Sequence, residues 1–124
     1  MEILVPISLG ELYDKISILI IKQEKVTNSK KLKNIKKELE FLQNIAEEYP
    51  IDELYHTKLY TVNSLLWVIE DEIRKKEVIK QYDKEFIELA RSVYFQNDKR
   101  TDIKKEINLR YNSNIIEEKQ YEKY

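Results

Sequence analysis

The chain contains no cysteine, one glycine, two prolines and one histidine. Without cysteine it can form no disulfide bond, no thiolate nucleophile and no cysteine-based zinc site. Phosphate-binding loops and dinucleotide-binding fingerprints need several glycines, because backbone amides must approach the phosphate closely, so both are excluded. A single histidine disfavours histidine-based triads. We therefore expect no metal and no cofactor. The scarcity of glycine and proline also predicts long helices joined by short turns.

Long apolar runs and an excess of one charge are also missing. No stretch approaches the ~20 apolar residues that span a bilayer, so we expect no membrane insertion. The 22 basic and 23 acidic side chains leave a net charge of −1, which argues against a nucleic-acid-binding protein. The locally basic stretch from Lys22 to Lys37 is typical of a solvated helix face. The first residues lack the basic and apolar regions of a secretory signal, and we expect a cytoplasmic location.

Hydrophobic residues make up 42% of the chain and charged residues 36%. This mixture is typical of amphipathic helices that share one core. A length of 124 residues suits a single domain, 1–124. The composition therefore predicts an all-α domain.

Local patterns divide the chain into four main helices. A capping box, in which Ser8 is the N-cap and Glu11 reaches back, opens a largely apolar and therefore central helix that runs to about Lys25. A second helix follows the turn at 26–29 and ends near residues 49–50. Asp52 caps a third helix that runs to about residue 76. Asp83 caps the fourth, which ends within the stretch from Asn112 to Asn114, since asparagine tolerates the left-handed conformation of a C-terminal cap.

These elements predict an antiparallel bundle of four main helices with a short extended N-terminal arm. The arm, around residues 3–7, is either an edge strand or lies across the bundle. The tail from Ile115 to Tyr124 is either a short helix or an extended chain. We favour a continuous fourth helix, because asparagine and aspartate are only mildly poor helix formers. In the alternative, the helix breaks near Asn97 and Asp98 caps a fifth.

One stripe along the fourth helix starts apolar and becomes polar. Phe86, Ala90 and Val93 have the character of core residues, whereas the next four positions are an amide, two cations and another amide. A buried charge without a partner costs several kcal/mol, so these groups need carboxylates, a ligand or water. The four polar positions are Asn97, Arg100, Lys104 and Asn108.

The third helix offers a partner for these cations. Glu70 lies on its otherwise apolar face, with Asn63 and Trp67 at the border of that face. The simplest arrangement pairs Glu70 with Arg100 and Lys104 across the two helices. Such a seam is either a salt-bridge network that fixes helix register or a polar pocket with Trp67 as a wall.

Two further patterns carry less information. Glu53 and His56 have the spacing of di-metal helical bundles, but those sites need two such motifs and more glutamates. We therefore predict no metal site. Tyr111, Tyr121 and Tyr124 cluster near the C-terminus, and amphipathic rings of this kind often serve partner surfaces. This cluster favours a homodimer.

Three stretches of the chain together resemble a single family. They run from Pro6 through Ile16, from Leu66 through Arg74, and from Leu89 through Tyr121. The chain is similar there to a family of short bacterial helical proteins known only as a domain of unknown function. The resemblance implies no catalytic or binding residues. It departs at Asn112, where similar sequences tend to have glycine.

These observations favour a non-catalytic binding or interaction module, with a candidate site at the polar seam. The alternative is a metal-independent enzyme, or a binding protein, for a small anionic metabolite. In the enzyme, Arg100 and Lys104 would bind the anion and Glu70 would act as acid or base. The candidate site residues are Trp67, Glu70, Asn97, Arg100, Lys104 and Asn108.

Overall fold

A computed structural model describes all 124 residues and contains four α-helices and no strand. The helices are α1 (Leu9–Lys25), α2 (Ser29–Ala46), α3 (Glu53–Val78) and α4 (Lys84–Arg110). The predicted all-α four-helix bundle is confirmed. Helix α4 continues through Asn97, so the alternative break at that position is wrong.

Side-chain caps begin the helices where the sequence predicts. The side chains of Ser8, Asp52 and Asp83 accept hydrogen bonds from the backbone N–H groups of the first turns of α1, α3 and α4. Asn112 has a φ of 53°, which is the predicted left-handed conformation after α4. The second half of the predicted capping box is wrong, since the Glu11 carboxylate bonds to Lys104 rather than to the backbone of Ser8.

Helix α1 packs against all three other helices, whereas α2 has no close backbone approach to α3 or α4. The central position predicted for α1 is therefore confirmed. Its first half bonds to α4 and its second half to α3, through Ser17 and Glu24. The core cluster comprises Leu12, Tyr13, Ile16, Leu19, Leu39, Ala46, Tyr55, Leu59 and Ile107.

Helices α3 and α4 form an antiparallel hairpin that is longer than the helix covering it. They contain 26 and 27 residues, or roughly 40 Å each, against 17 residues and roughly 25 Å for α1. As a result no side chain between Glu70 and Glu106 is buried. Ala90, predicted to lie in the core, is exposed, and Phe86 and Val93 are only half-buried.

The two end segments are not helical. The arm Met1–Ile7 is exposed and forms no strand. The tail runs back along α4, where Lys105 pairs with Glu118 at 3.1 Å and the Tyr124 ring packs edge-on against Tyr94 and Phe95. The Tyr124 hydroxyl donates a hydrogen bond to Asp98, which raises the pKa of Tyr124 to about 12. The tail is thus extended chain rather than a helix.

The only glycine, Gly10, lies where α1 approaches α4 most closely. A β-carbon at this position would lie 2.5 Å from the carbonyl oxygen of Lys104 and 3.0 Å from Oδ1 of Asn108. The backbone N–H of Gly10 donates to that Oδ1 at 2.6 Å. The absent side chain is therefore what allows α1 to reach α4.

We predict that Gly10→Ala destabilises the protein by about 1–3 kcal/mol, because the added methyl group meets a helix backbone that cannot move independently. Lys15→Ala, an exposed change in the same helix, is the control. The free energy of unfolding in urea measures both. A Gly10→Ala variant as stable as the parent would contradict the close contact.

Candidate functional site

Asp14 is the centre of the polar seam, and its side chain is fully buried. Its Oδ1 accepts hydrogen bonds from Nε of Arg100 at 2.9 Å and from Nδ2 of Asn63 at 2.9 Å. Its Oδ2 accepts a second bond from the Arg100 guanidinium. This hydrogen bonding raises the pKa of Arg100, against the opposing effect of burial. One carboxylate therefore ties α1 to both α3 and α4.

The seam continues along α4 toward the start of α1. Lys104 donates to Glu11 at 2.5 Å and lies 3.5 Å from Glu117 of the tail. Asn108 is almost fully buried and accepts from Gly10 through its side-chain oxygen. No buried side-chain nitrogen or oxygen in the molecule lacks a hydrogen-bond partner. Three of the four polar positions on α4, Arg100, Lys104 and Asn108, are thus satisfied by α1, as a register-fixing network requires.

The predicted pairing of Glu70 with Arg100 and Lys104 is wrong. Glu70 is half exposed, and its nearest cation is Arg74, one turn further along α3, at 3.8 Å. Arg100 and Lys104 pair with α1 rather than with Glu70 of α3, and α1 carries two carboxylates on the side that meets them. These two carboxylates belong to Asp14 and Glu11.

Asp14 was missed because the apolar residues of α1 surround it in the sequence. A pattern that points to it does exist. Gly10, Asp14, Ser17 and Ile21 recur at helical spacing, so a small residue, a carboxylate and a hydroxyl share one face of a central helix. In the structure Ser17 accepts from Nδ2 of Asn63 at 2.7 Å. Polar residues on a helix that must be buried are informative, since they need partners.

Beside Arg100 the seam opens into a groove of about 500 Å³ between α1, α3 and α4. It lies beyond the contact between the start of α1 and α4, next to the second half of α1, which bonds to α3. Its walls combine an indole, three aliphatic side chains, two carboxylates, two guanidinium groups and two amides. The lining residues are Ile18, Ile21, Asn63, Leu66, Trp67, Glu70, Asp71, Arg74, Asn97 and Arg100.

The groove brings together four of the predicted site residues, Trp67, Glu70, Asn97 and Arg100. The other two, Lys104 and Asn108, lie further along α4, where they pair with Glu11 and Gly10. The candidate site therefore divides into a satisfied network near the start of α1 and an open groove beyond it.

Three polar groups of the groove have no partner inside the protein. Asn63 is only 6% exposed and uses Nδ2 alone, so its Oδ1 is left for whatever occupies the groove. The Arg100 guanidinium bonds to Asp14 through Nε and Nη2, which leaves Nη1 free. The half-buried Asn97 makes no side-chain hydrogen bond. The groove thus offers one acceptor, one donor and one amide.

The sole histidine lies in a second, smaller groove of about 310 Å³ between α1 and α3. The ring of His56 packs edge-on against Tyr13, with the ring centres 5.0 Å apart. No three His, Asp or Glu side chains lie close enough together to share a metal ion. The Glu53–His56 spacing therefore gains no structural support as a metal motif.

The C-terminal tyrosines do not form one surface. The Tyr111 hydroxyl accepts a hydrogen bond from the backbone N–H of Asp52 at 2.8 Å, and Tyr124 packs on α4. Tyr121 and Tyr124 are both largely exposed, at 70% and 69%. These residues thus mostly serve contacts within the chain. None of the helices combines the length and apolar character needed to cross a membrane.

Comparison with protein families gives a single informative result. The sequence model of one protein family, described as "Family of unknown function (DUF6165)", matches residues 3–124. No curated protein and no solved structure matches the chain. The match covers both the seam and the groove.

We predict that Arg100→Ala destabilises the fold by about 2–4 kcal/mol, because it leaves the Asp14 carboxylate buried without its cation. Lys99→Ala, at the neighbouring exposed position, is the control and should have little effect. Thermal and urea unfolding measure both variants. A melting temperature unchanged within error for Arg100→Ala would rule out a structural role for the pair.

Proposed function

The chain belongs to the DUF6165 family, whose function is unknown, and we propose that it is a non-catalytic binding module for a small polar molecule held in the groove beside Arg100. One observation carries the proposal. The groove gathers Trp67 and three polar groups that lack internal partners, in a molecule that leaves no buried side-chain nitrogen or oxygen unpaired. The three groups are open to the groove, so a ligand there can take the hydrogen bonds that the fold leaves unused.

The dimensions and origin of the groove support this proposal. A volume of about 500 Å³ lies within the range of small-molecule sites, roughly 300–1,000 Å³. Its walls come from three helices that the Asp14 network holds together. The groove is therefore formed before a ligand arrives, which lowers the entropic cost of binding.

The charges of the groove determine how well it suits a small anionic ligand, which the sequence offered as the alternative. Arg100 is neutralised by Asp14, and Lys104 is engaged by Glu11. Arg74 is the one groove cation that keeps substantial exposure, and Glu70 and Asp71 flank it. An anion therefore has less support than a ligand without net charge.

The catalytic alternative also has less support. It requires Arg100 and Lys104 to hold an anion while Glu70 moves a proton. In the structure both cations are paired with carboxylates of α1, and Lys104 does not line the groove. The groove retains the features of a binding site without an assembled acid–base pair.

A bacterial cytoplasmic homodimer is the further part of this proposal. Three large apolar residues of α3 and the C-cap residue Ile79 share one outer face, on the other side of the helix from the groove. A second copy could pack antiparallel about an axis midway between Leu65 and Val68. Leu65 of one copy would then contact Val68 of the other, and Leu54 would contact Ile79 in the same way. The four, which are 43–65% exposed, are Leu54, Leu65, Val68 and Ile79.

We predict that a member of a panel of small polar molecules changes the fluorescence of Trp67, the only tryptophan of the chain. Arg74→Gln should weaken that binding about tenfold, the loss expected for one charge-assisted hydrogen bond. Arg74 is largely exposed, so the fold should be unaffected. The panel contains amino acids, sugars, nucleosides, carboxylic acids and phosphate esters, and fluorescence titration gives Kd.

Arg91→Gln is the matched control for that titration. Arg91 is an exposed arginine on α4 that pairs with Glu88 outside the groove. Its substitution should leave Kd unchanged. A panel in which no compound changes the fluorescence, or in which both variants bind equally well, would count against the groove as the binding site.

For the dimer, we predict that Leu65→Lys yields a monomer, since it places two like charges beside the proposed axis. Val78→Lys changes an apolar residue of the same helix that is 82% exposed but lies off this face, and it should leave the dimer intact. Sedimentation velocity measures both. A parent chain that sediments as a monomer at high micromolar concentration would contradict the dimer.

A further inference from the structure

We propose that the ligand of the groove is an uncharged, polyhydroxylated ring, that is, a sugar or a cyclitol. This inference rests on the proposed function and specifies the chemistry of its ligand. It follows from the kinds of hydrogen-bonding group that the groove presents and from the balance of its charges.

The inner part of the groove is polar but has no net charge. It presents Oδ1 of Asn63 as an acceptor, Nη1 of Arg100 as a donor and the Asn97 amide as both. The positive charge of Arg100 is compensated directly by the buried Asp14. A ligand reaching this depth meets donors and acceptors side by side, without a field that favours either sign.

The rim repeats this mixture with charged groups. Glu70 and Asp71 only accept hydrogen bonds, whereas Arg74 only donates them. The Glu70–Arg74 separation of 3.8 Å is too long for a hydrogen bond, so both groups keep free positions. A hydroxyl both donates and accepts through a single oxygen atom, so it can bond to either kind of rim group. Several hydroxyls on one molecule therefore suit this rim.

Charged ligands fit the same set of groups poorly. A phosphate or carboxylate would approach two rim carboxylates together with the arginine, and an ammonium group would approach two arginines together with the carboxylates. In either case like charges oppose part of the attraction. A neutral ligand forms the same hydrogen bonds without this repulsion.

The apolar part of the groove accounts for the ring. Trp67, with Ile18, Ile21 and Leu66, gives the groove an aromatic and aliphatic wall beside its polar groups. A sugar or cyclitol ring has an apolar C–H face and a hydroxyl-bearing edge. Such a ring can bury its face on this wall while its edge reaches Asn63, Asn97 and the rim.

The test compares neutral and charged forms of the same ring by Trp67 fluorescence. The neutral probes are glucose, galactose, mannose and myo-inositol, and the charged ones are glucose phosphate, glucuronate and glucosamine. We expect at least one neutral probe to bind more than about tenfold tighter than its charged counterparts. Its Kd should change less than about twofold between about 0.05 M and 0.5 M salt, because no net charge is paired.

A pair of asparagine variants locates the binding. Asn97→Ala removes an amide that makes no hydrogen bond in the protein, and it should weaken binding of the neutral probe about tenfold at an unchanged melting temperature. Asn44→Ala, at an exposed position of α2, should have no effect. Equal binding by both variants would place the sugar outside the groove and overturn the inference.

The remaining outcomes separate the two proposals. If a charged or heteroaromatic compound of the broader panel binds in an Arg74-dependent way and no neutral polyol does, the inference is overturned and the proposed function stands. Tighter binding of a charged probe with a steep salt dependence has the same meaning. If no compound of either set binds, both are overturned.

Discussion

The structure depends on the burial of one carboxylate. Asp14 is fully buried at the junction of α1, α3 and α4, and two residues from two helices satisfy it, Arg100 and Asn63. A buried charge tolerates few alternative arrangements, because any shift of register leaves it unpaired at a cost of several kcal/mol. This requirement sets the relative position of three helices more strictly than their interchangeable leucine and isoleucine contacts could.

The groove is a consequence of the same arrangement. Gly10 brings the start of α1 against the backbone of α4, and the bonds of Asp14 hold the next turn. The second half of α1 then bonds to α3 instead, so a gap lined by all three helices remains beside Trp67. The groups that define the fold thus also shape the candidate site, and Arg100 and Asn63 belong to both.

Local chemistry made the helices predictable, whereas the partners of their polar faces depend on how the helices pack. The caps at Ser8, Asp52 and Asp83 act within two or three residues, so the sequence suffices to place them. The polar stripe on α4 and the position of Trp67 and Glu70 on the helix face that lines the groove were predictable for a similar reason, since periodicity assigns residues to faces. The choice of Asp14 over Glu70 as the partner of Arg100 was not, because it depends on which helix lies against that face. The exposure of Ala90 likewise depends on where α1 leaves α4.

The seam joins segments that lie far apart along the chain. Its bonds connect residues 8–14 with residues 100–117, and Ser8 lies next to Glu117 across 109 positions of sequence. During synthesis the first helix therefore emerges long before the groups that neutralise its central carboxylate. Until the last quarter of the chain is made, burial of Asp14 would leave its carboxylate without a cation. This cost in free energy opposes packing of the first helix onto the third. Closing so large a loop is entropically costly and slow. The final docking of the last helix should accordingly limit the rate of folding.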